Sequence, residues 1–206
     1  MIVSIYRRGS KSPMVKQIQA ALHLIQDGYF GPLTEEAVRL FQMKNGLKPD
    51  GIVGPSTLAK LLPERLKKSK RIIREIIIHC SATPEYKHFT AANIRQWHKQ
   101  QGWSDIGYHY VIQIDGTIEH GRDVDIIGAH CSGHNSHSIG ICYIGGMDAE
   151  MTNAKDTRTE LQKSALLSLL YDLRRIYPDA KIYGHRDFDK GKDCPSFDAR
   201  YEYRMI

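Results

Sequence analysis

The sequence predicts an α/β domain, with helices flanking a sheet that has a buried central strand, preceded by a small three-helix module. Three observations carry this. The stretch RIIREIIIHCSAT holds the run Ile76, Ile77 and Ile78, as a strand buried on both faces requires. Residues 157–178 repeat leucine at helical spacing. The first 62 residues use one turn motif twice.

The module comes first along the chain. SPMVKQIQAALHLI places Val15, Ile18, Ala21, Leu22 and Ile25 at helical spacing. DGYFGPLTEEAVRLF (27–41) and DGIVGPSTLAKLL (50–62) both read Asp-Gly-x-x-Gly-Pro-x-Thr and continue as amphipathic stretches. Glycine supplies turn conformations closed to other residues. Pro32 and Pro55 suit the first helical position, where a missing N–H costs nothing. Three short helices joined by two matching turns follow. PERLKKSKR (63–71) is polar and basic and reads as a linker. The expected division is a module over 1–63, a linker over 64–71 and a second domain over 72–206.

In the second domain the isoleucine run ends at His79. TAANIRQWHKQQGW sets Ile94 and Trp97 on one helical face. YHYVIQIDGTIEHG reads as a hairpin with Asp115-Gly116 as a two-residue turn. Tyr108, Tyr110, Ile112 and Ile114 share one face of its first strand. SIGICYIGG (138–146) reads as a strand. In the helix over 157–178, Thr157 and Glu160 are placed for a capping box, and Leu166, Leu169, Leu170 and Leu173 form the stripe. AKIYGH is a short strand that delivers His185.

Composition bounds the function. The chain has 206 residues, 41% hydrophobic and 25% charged, as in an ordinary globular protein. Its net charge of +6 suits an anionic partner, nucleic acid or an acidic cell-wall polymer, and also serves solubility alone. No helix rich in Arg or Asn is placed to read DNA, so nucleic acid is not expected as a partner. No apolar run approaches the ~20 residues of a membrane span. The N-terminus MIVSIYRRGS reverses the order of a secretory signal, which predicts synthesis in the cytoplasm without an export tag. Four cysteines, at 80, 131, 142 and 194, make no disulfide framework in a chain this long.

Three residues stand out as candidate ligands. His79 and His185 end strands, and Cys194 lies on the loop beyond, in GHRDFDKGKDCPSFD. Strand ends are where α/β sheets place sites. Two imidazoles and a thiolate suit catalytic zinc, which keeps three protein ligands and an open position. Cys194 read alone is equally a packed thiol or, with His185, a nucleophilic pair. Alternation along the strand turns Cys80 away from His79, toward packing. HCSGHNSH (130–137), with His130, Cys131, His134 and His137, is a rival metal cluster or a solvated loop. No G-x-S-x-G elbow and no H-E-x-x-H motif occurs.

Five stretches then fall in a telling order: HCSAT (79–83), GYHYVIQIDGTIEHGR (107–122), NSHSIGICYIGG (135–146), GHRDF (184–188) and KDCPSFD (192–198). Together they resemble the zinc-dependent N-acetylmuramoyl-L-alanine amidases of type 2. The likeness is nearest to phage lysozymes of the amidase type and extends to the peptidoglycan-recognition proteins. The doubled motif resembles the peptidoglycan-binding domain type 1. The resemblance implies a mixed central sheet flanked by helices, a Zn2+ cofactor, zinc ligands His79, His185 and Cys194, and catalytic roles for Tyr108 and Lys192. His130 corresponds to a histidine near the family's active site and is expected as a substrate contact. Glu119 is either a general base, as in some relatives, or a plain exposed residue. Tyr108 is otherwise a packed aromatic. Arg186 and Asp187 either orient His185 or bind a stem-peptide carboxylate. The implied protein is a monomeric endolysin whose partner is bacterial peptidoglycan and which acts on the cell wall after release. The alternative is a recognition protein without catalysis.

Overall fold

The computed structural model describes residues 5–62 and 66–206. The chain divides into two compact units, Met1–Arg65 and Leu66–Ile206.

The first unit holds helices α1 (Pro13–Ala21), α2 (Pro32–Lys44) and α3 (Pro55–Leu61), each with proline in its first turn. Val15, Ile18, Phe30, Val38 and Val53 form its buried centre. Ile25, expected on the apolar stripe of the first helix, lies beyond its end and is exposed. The doubled motif has a physical basis in two buried glutamines. Gln19 Nε2 faces Asp27 Oδ1 at 2.7 Å and Thr34 Oγ1 at 3.1 Å, and its Oε1 accepts from Gly28 N at 2.9 Å. Gln42 repeats this with Asp50 at 3.0 Å, Thr57 at 3.1 Å and Gly51 N at 2.9 Å. Gly28 and Gly51 take positive φ, +76° and +75°, which explains the glycine at that place. Each glutamine thus ties a helix to the following turn and to the first turn of the next helix.

The second unit is built on a five-stranded sheet. Its strands are β1 (Glu75–Cys80), β3 (Tyr110–Ile112), β4 (Ile118–His120), β5 (Ser138–Tyr143) and β7 (Lys181–Gly184), in the order β4-β3-β5-β1-β7. Strands β1, β3, β5 and β7 run parallel and β4 is antiparallel, so the sheet is mixed. Two short strands, β2 (Thr83–Pro84) and β6 (Gly146–Met147), pair separately. The helices are α4 (Ala91–Gln100), α5 (Glu160–Ile176) and α6 (Ala199–Glu202).

Alternation sorts the two faces of the sheet. Ile76, Ile78, Ile139, Ile141, Tyr110 and Ile112 pack with Leu166, Leu169, Leu170 and Leu173 of α5. Val111 and Cys142 pack on the other face with Ala91 and Ile94 of α4. His79 points to the α4 face, opposite Cys80, which joins the α5 core. The strand central to the sequence reading, β1, is buried from Ile76 onward.

Three local expectations are corrected. The box that starts α5 is Thr159 with Gln162, two residues later than Thr157 with Glu160. The hairpin loop has three residues, not two. Gly116 N donates to Gln113 O and Gln113 N to Thr117 O, with Gly116 at φ +85°, a turn followed by a one-residue bulge. The first strand of that hairpin is short, so Tyr108 precedes it. Of the segment read as a linker, 63–65 lie outside the described residues. Beyond them, Ser69 is buried and donates its hydroxyl to Val124 O at 2.7 Å, and Lys67 pairs with Asp123 at 2.8 Å.

Candidate metal centre and active site

Sheet register brings the two histidines together. Ile78 on β1 pairs with Gly184 on β7. The next residues, His79 and His185, therefore meet at neighbouring strand ends, with ring centroids 4.6 Å apart. A 3₁₀ turn over His185–Asp187 begins there, and the Asp187 carboxylate fixes it by accepting from Gly184 N at 2.8 Å. Cys194 returns to the same point. Arg186 N donates to Cys194 O at 2.7 Å and Cys80 N donates to Cys194 Sγ at 3.3 Å. A Cβ on Gly184 would lie 2.6 Å from Pro195 Cδ, so only glycine lets the loop close against β7.

The ligand atoms of His79, His185 and Cys194 all lie within 4.8 Å of one another. His79 Nδ1 is 3.7 Å from Cys194 Sγ. In a tetrahedral zinc site with bonds near 2.0–2.1 Å to nitrogen and 2.3 Å to sulfur, that separation is about 3.6 Å. The donor set and its spacing fit zinc. Electrostatics agrees. Burial pushes the His79 imidazole well below its ordinary value, helped by His130, His185 and Lys192, so its lone pair is free. Burial and Lys192 lower His185 in the same way. The Cys80 thiol and burial push Cys194 upward, so a bare thiolate is disfavoured there, and a divalent cation reverses that balance.

Around this centre, Tyr108 packs its ring 5.1 Å from His79. Burial, followed by the thiols of Cys142, Cys194 and Cys80, pushes its phenol well above 10. Tyr108 therefore keeps its proton at neutral pH. Its support comes from His98, whose ring lies 5.6 Å away and whose Nδ1 accepts from Gly107 N at 3.0 Å. Lys192 is exposed, with its ammonium 3.9 Å from Asp189 and its charge felt by both histidines.

His130, expected as a substrate contact, lies behind His79. It is 8% exposed, its Nδ1 is 3.1 Å from His79 Nε2, and its Nε2 is 3.3 Å from Ser138 Oγ. Both ring nitrogens are engaged inside the protein. Glycine makes the space: a Cβ on Gly140 or Gly128 would lie 2.5 or 2.6 Å from His130 Cδ2. Glu119 is half-buried, and its carboxylate accepts from Ala91 N at 2.6 Å at the start of α4. The HCSGHNSH cluster does not converge as a unit. Cys131 is buried, while His134 and His137 turn to Glu75. His98 and the orienting contact of His130 carried no sequence signal, since neither lies at a spacing tied to the ligands.

Comparison with known proteins fits this geometry. Residues 69–197 match the family described as N-acetylmuramoyl-L-alanine amidase, and residues 11–61 match a putative peptidoglycan binding domain. The fold and site thus define an amidase, a hydrolase joined to a module of the peptidoglycan-binding kind. The chain belongs to the N-acetylmuramoyl-L-alanine amidase family. It is similar to the endolysin of Enterobacteria phage K11, 48% identical over 126 residues, covering 61% of this chain and 82% of the relative. The endolysin of Escherichia phage T7 is 41% identical over 133 residues, covering 65% and 87%. Among solved structures, the amidase LysC from Clostridium intestinale superposes with a TM-score of 0.54 at 30% identity, covering 64% of this chain and 82% of that one. Drosophila PGRP-LB gives 0.55 at 27%, covering 70% and 86%.

Proposed function

We propose that the chain is a phage endolysin that cuts the amide joining the lactyl group of N-acetylmuramic acid to L-alanine of the stem peptide. His79, His185 and Cys194 would hold a zinc ion. The observation that carries this reading is their convergence within 4.8 Å at the end of β1 and β7, beside Tyr108. When bound, zinc supplies Lewis acidity toward water and the scissile carbonyl.

The chain's own residues do the rest. His130 accepts or donates at His79 Nε2 and so fixes which nitrogen of His79 faces the ligand position. Tyr108, held protonated, offers its hydroxyl hydrogen to the carbonyl oxygen as negative charge builds there. Lys192 brings a positive charge to the same side, which offsets the charge contributed by a thiolate ligand. The N-terminal module, read over 1–63, keeps the enzyme on an insoluble substrate and raises its effective concentration. We read 64–71 as the connection and 72–206 as the catalytic domain. The protein reaches the wall from the cytoplasm after the membrane is permeabilised, and it works as a monomer.

The test is the chemistry of the products. Digestion of purified sacculi should release stem peptides with a free L-alanine amino group and leave intact lactyl-bearing glycan, read by mass spectrometry. Tyr108→Phe and Lys192→Ala should each lower kcat about 10²-fold with little change in KM. Release of reducing sugars, or of fragments cut within the peptide cross-link, would overturn the assignment.

A further inference from the structure

A second cluster of ligating side chains lies outside the centre described above. Glu75 opens β1, while His134 precedes and His137 ends the 3₁₀ turn Asn135–His137 that leads into β5. His137 N donates to His134 O at 3.3 Å, closing the turn. At three residues per turn, side chains three apart stand on one side. Register completes the set, because Glu75 pairs with Ser138, the neighbour of His137. His134 Nδ1 lies 2.8 Å and His137 Nε2 3.4 Å from Glu75 Oε2, and the three donor atoms fall within 4.8 Å of one another.

We propose that Glu75, His134 and His137 form a second site for a divalent transition cation of the zinc and cobalt class. Donors around such an ion with bonds of 2.0–2.1 Å sit about 3.3 Å apart, so the cluster needs only small movements to close on it. Two imidazoles with one carboxylate favour that class over magnesium or calcium, which take oxygen ligands. The imidazoles are already held in orientation. Ser136 Oγ lies 3.1 Å from His137 Nδ1, and the His134 ring stacks on Phe188 at 3.9 Å. All three side chains are partly exposed, between 16% and 30%, so an ion has access and water completes its shell. The site is separate from the first. Glu75 and His79 lie four residues apart on one strand, about 13 Å. It is nonetheless linked to it, because Phe188 follows His185 by three residues. A cation here clips the loop before β5 to the start of β1 and buttresses the His185 turn. Its role is structural, and it binds more weakly than the site that includes a thiolate.

The experiment is titration of the metal-free full-length protein with Co2+, followed by absorption, and with Zn2+, followed by native mass spectrometry. The wild type should take two equivalents. The first should bring a sulfur-to-cobalt charge-transfer band, and the second only ligand-field bands. Glu75→Gln, which preserves shape and a hydrogen bond to His134, should weaken the second equivalent at least tenfold and leave the first. His134→Ala/His137→Ala should abolish the second. Near-ultraviolet circular dichroism matched to wild type verifies that both variants fold. Saturation of the wild type at one equivalent, or a second equivalent retained unchanged in Glu75→Gln, would overturn the proposal. Neither result bears on the thiolate site, which the charge-transfer band reports by itself.

Discussion

His79 Nε2 and His130 Nδ1 lie 3.1 Å apart in the interior, leaving His79 Nδ1 turned toward Cys194. A neutral imidazole donates from one nitrogen and offers a lone pair at the other, so the contact with His130 sets which is which. His130→Ala should therefore reduce zinc affinity about 10- to 100-fold and lower activity at limiting zinc. Competition with a chromophoric chelator measures the first effect. An affinity equal to wild type would remove His130 from any orienting role.

Gly140 should be nearly as sensitive as the histidine it accommodates. An added methyl would lie 2.5 Å from His130 Cδ2, and one on Gly128 would lie 2.6 Å from the same atom. Gly140→Ala should cost about 1–3 kcal/mol of stability by overpacking. It should also reproduce the weakened zinc binding of His130→Ala. Urea titration and the same chelator competition read the two effects separately.

Much of this arrangement was legible in the sequence, and the reasons differ by element. The isoleucine run of β1 announces itself because burial on both faces needs an unbroken apolar stretch. The repeated D-G-x-x-G-P is legible because its glycines take positive φ and its prolines open helices. Gln19 and Gln42, which explain why Asp and Thr recur in the motif, carry no such signal. Each lies eight residues before its Asp, a spacing that belongs to no regular element. The meeting of His79 and His185 depends on the parallel register of β1 with β7, a contact across more than 100 residues that spacing cannot encode. Resemblance to a family supplied it. The burial of His130 was hidden for a related reason: its room depends on Gly140 of β5 as well as on Gly128 just before it in the loop.

Acid should destabilise the second unit through His109. Its Nδ1 accepts from Gly140 N at 2.9 Å, and burial, reinforced by the charges of Arg71 and Arg122, lowers its pKa to about 4. The unfolded value is 6.5, so the folded state holds the proton less tightly. The stabilisation is complete above pH 6.5 and is lost as pH falls toward 4, by about 3 kcal/mol. Both tryptophans, Trp97 and Trp103, lie in this unit, so their fluorescence in urea reports it selectively. His109→Asn, which keeps an acceptor near Gly140 N, should flatten the dependence between pH 6.5 and 4. An unchanged slope would contradict this.

Arg158 should be among the most costly surface-adjacent positions to alter. Its side chain is 1% exposed, forked between Asp156 at 2.8 Å and Glu202 at 2.9 Å, and stacked 3.2 Å over Phe197. It fastens α6 to the segment before α5, three residues from Cys194 through Phe197. Arg158→Met removes the fork and returns two partly exposed carboxylates to water, and should cost about 1–2 kcal/mol. Arg158→Lys retains the charge without the double fork and should recover only part of that. Thermal denaturation of the two variants ranks them.

X-ray absorption at the zinc edge of full-length protein loaded with one equivalent tests the central claim most directly. Zinc held by His79, His185 and Cys194 should show one sulfur at about 2.3 Å with nitrogen scatterers at about 2.0–2.1 Å, and the sulfur shell should be lost in Cys194→Ser. A shell of nitrogen and oxygen alone in the wild type, or a sulfur that persists in Cys194→Ser, would contradict it.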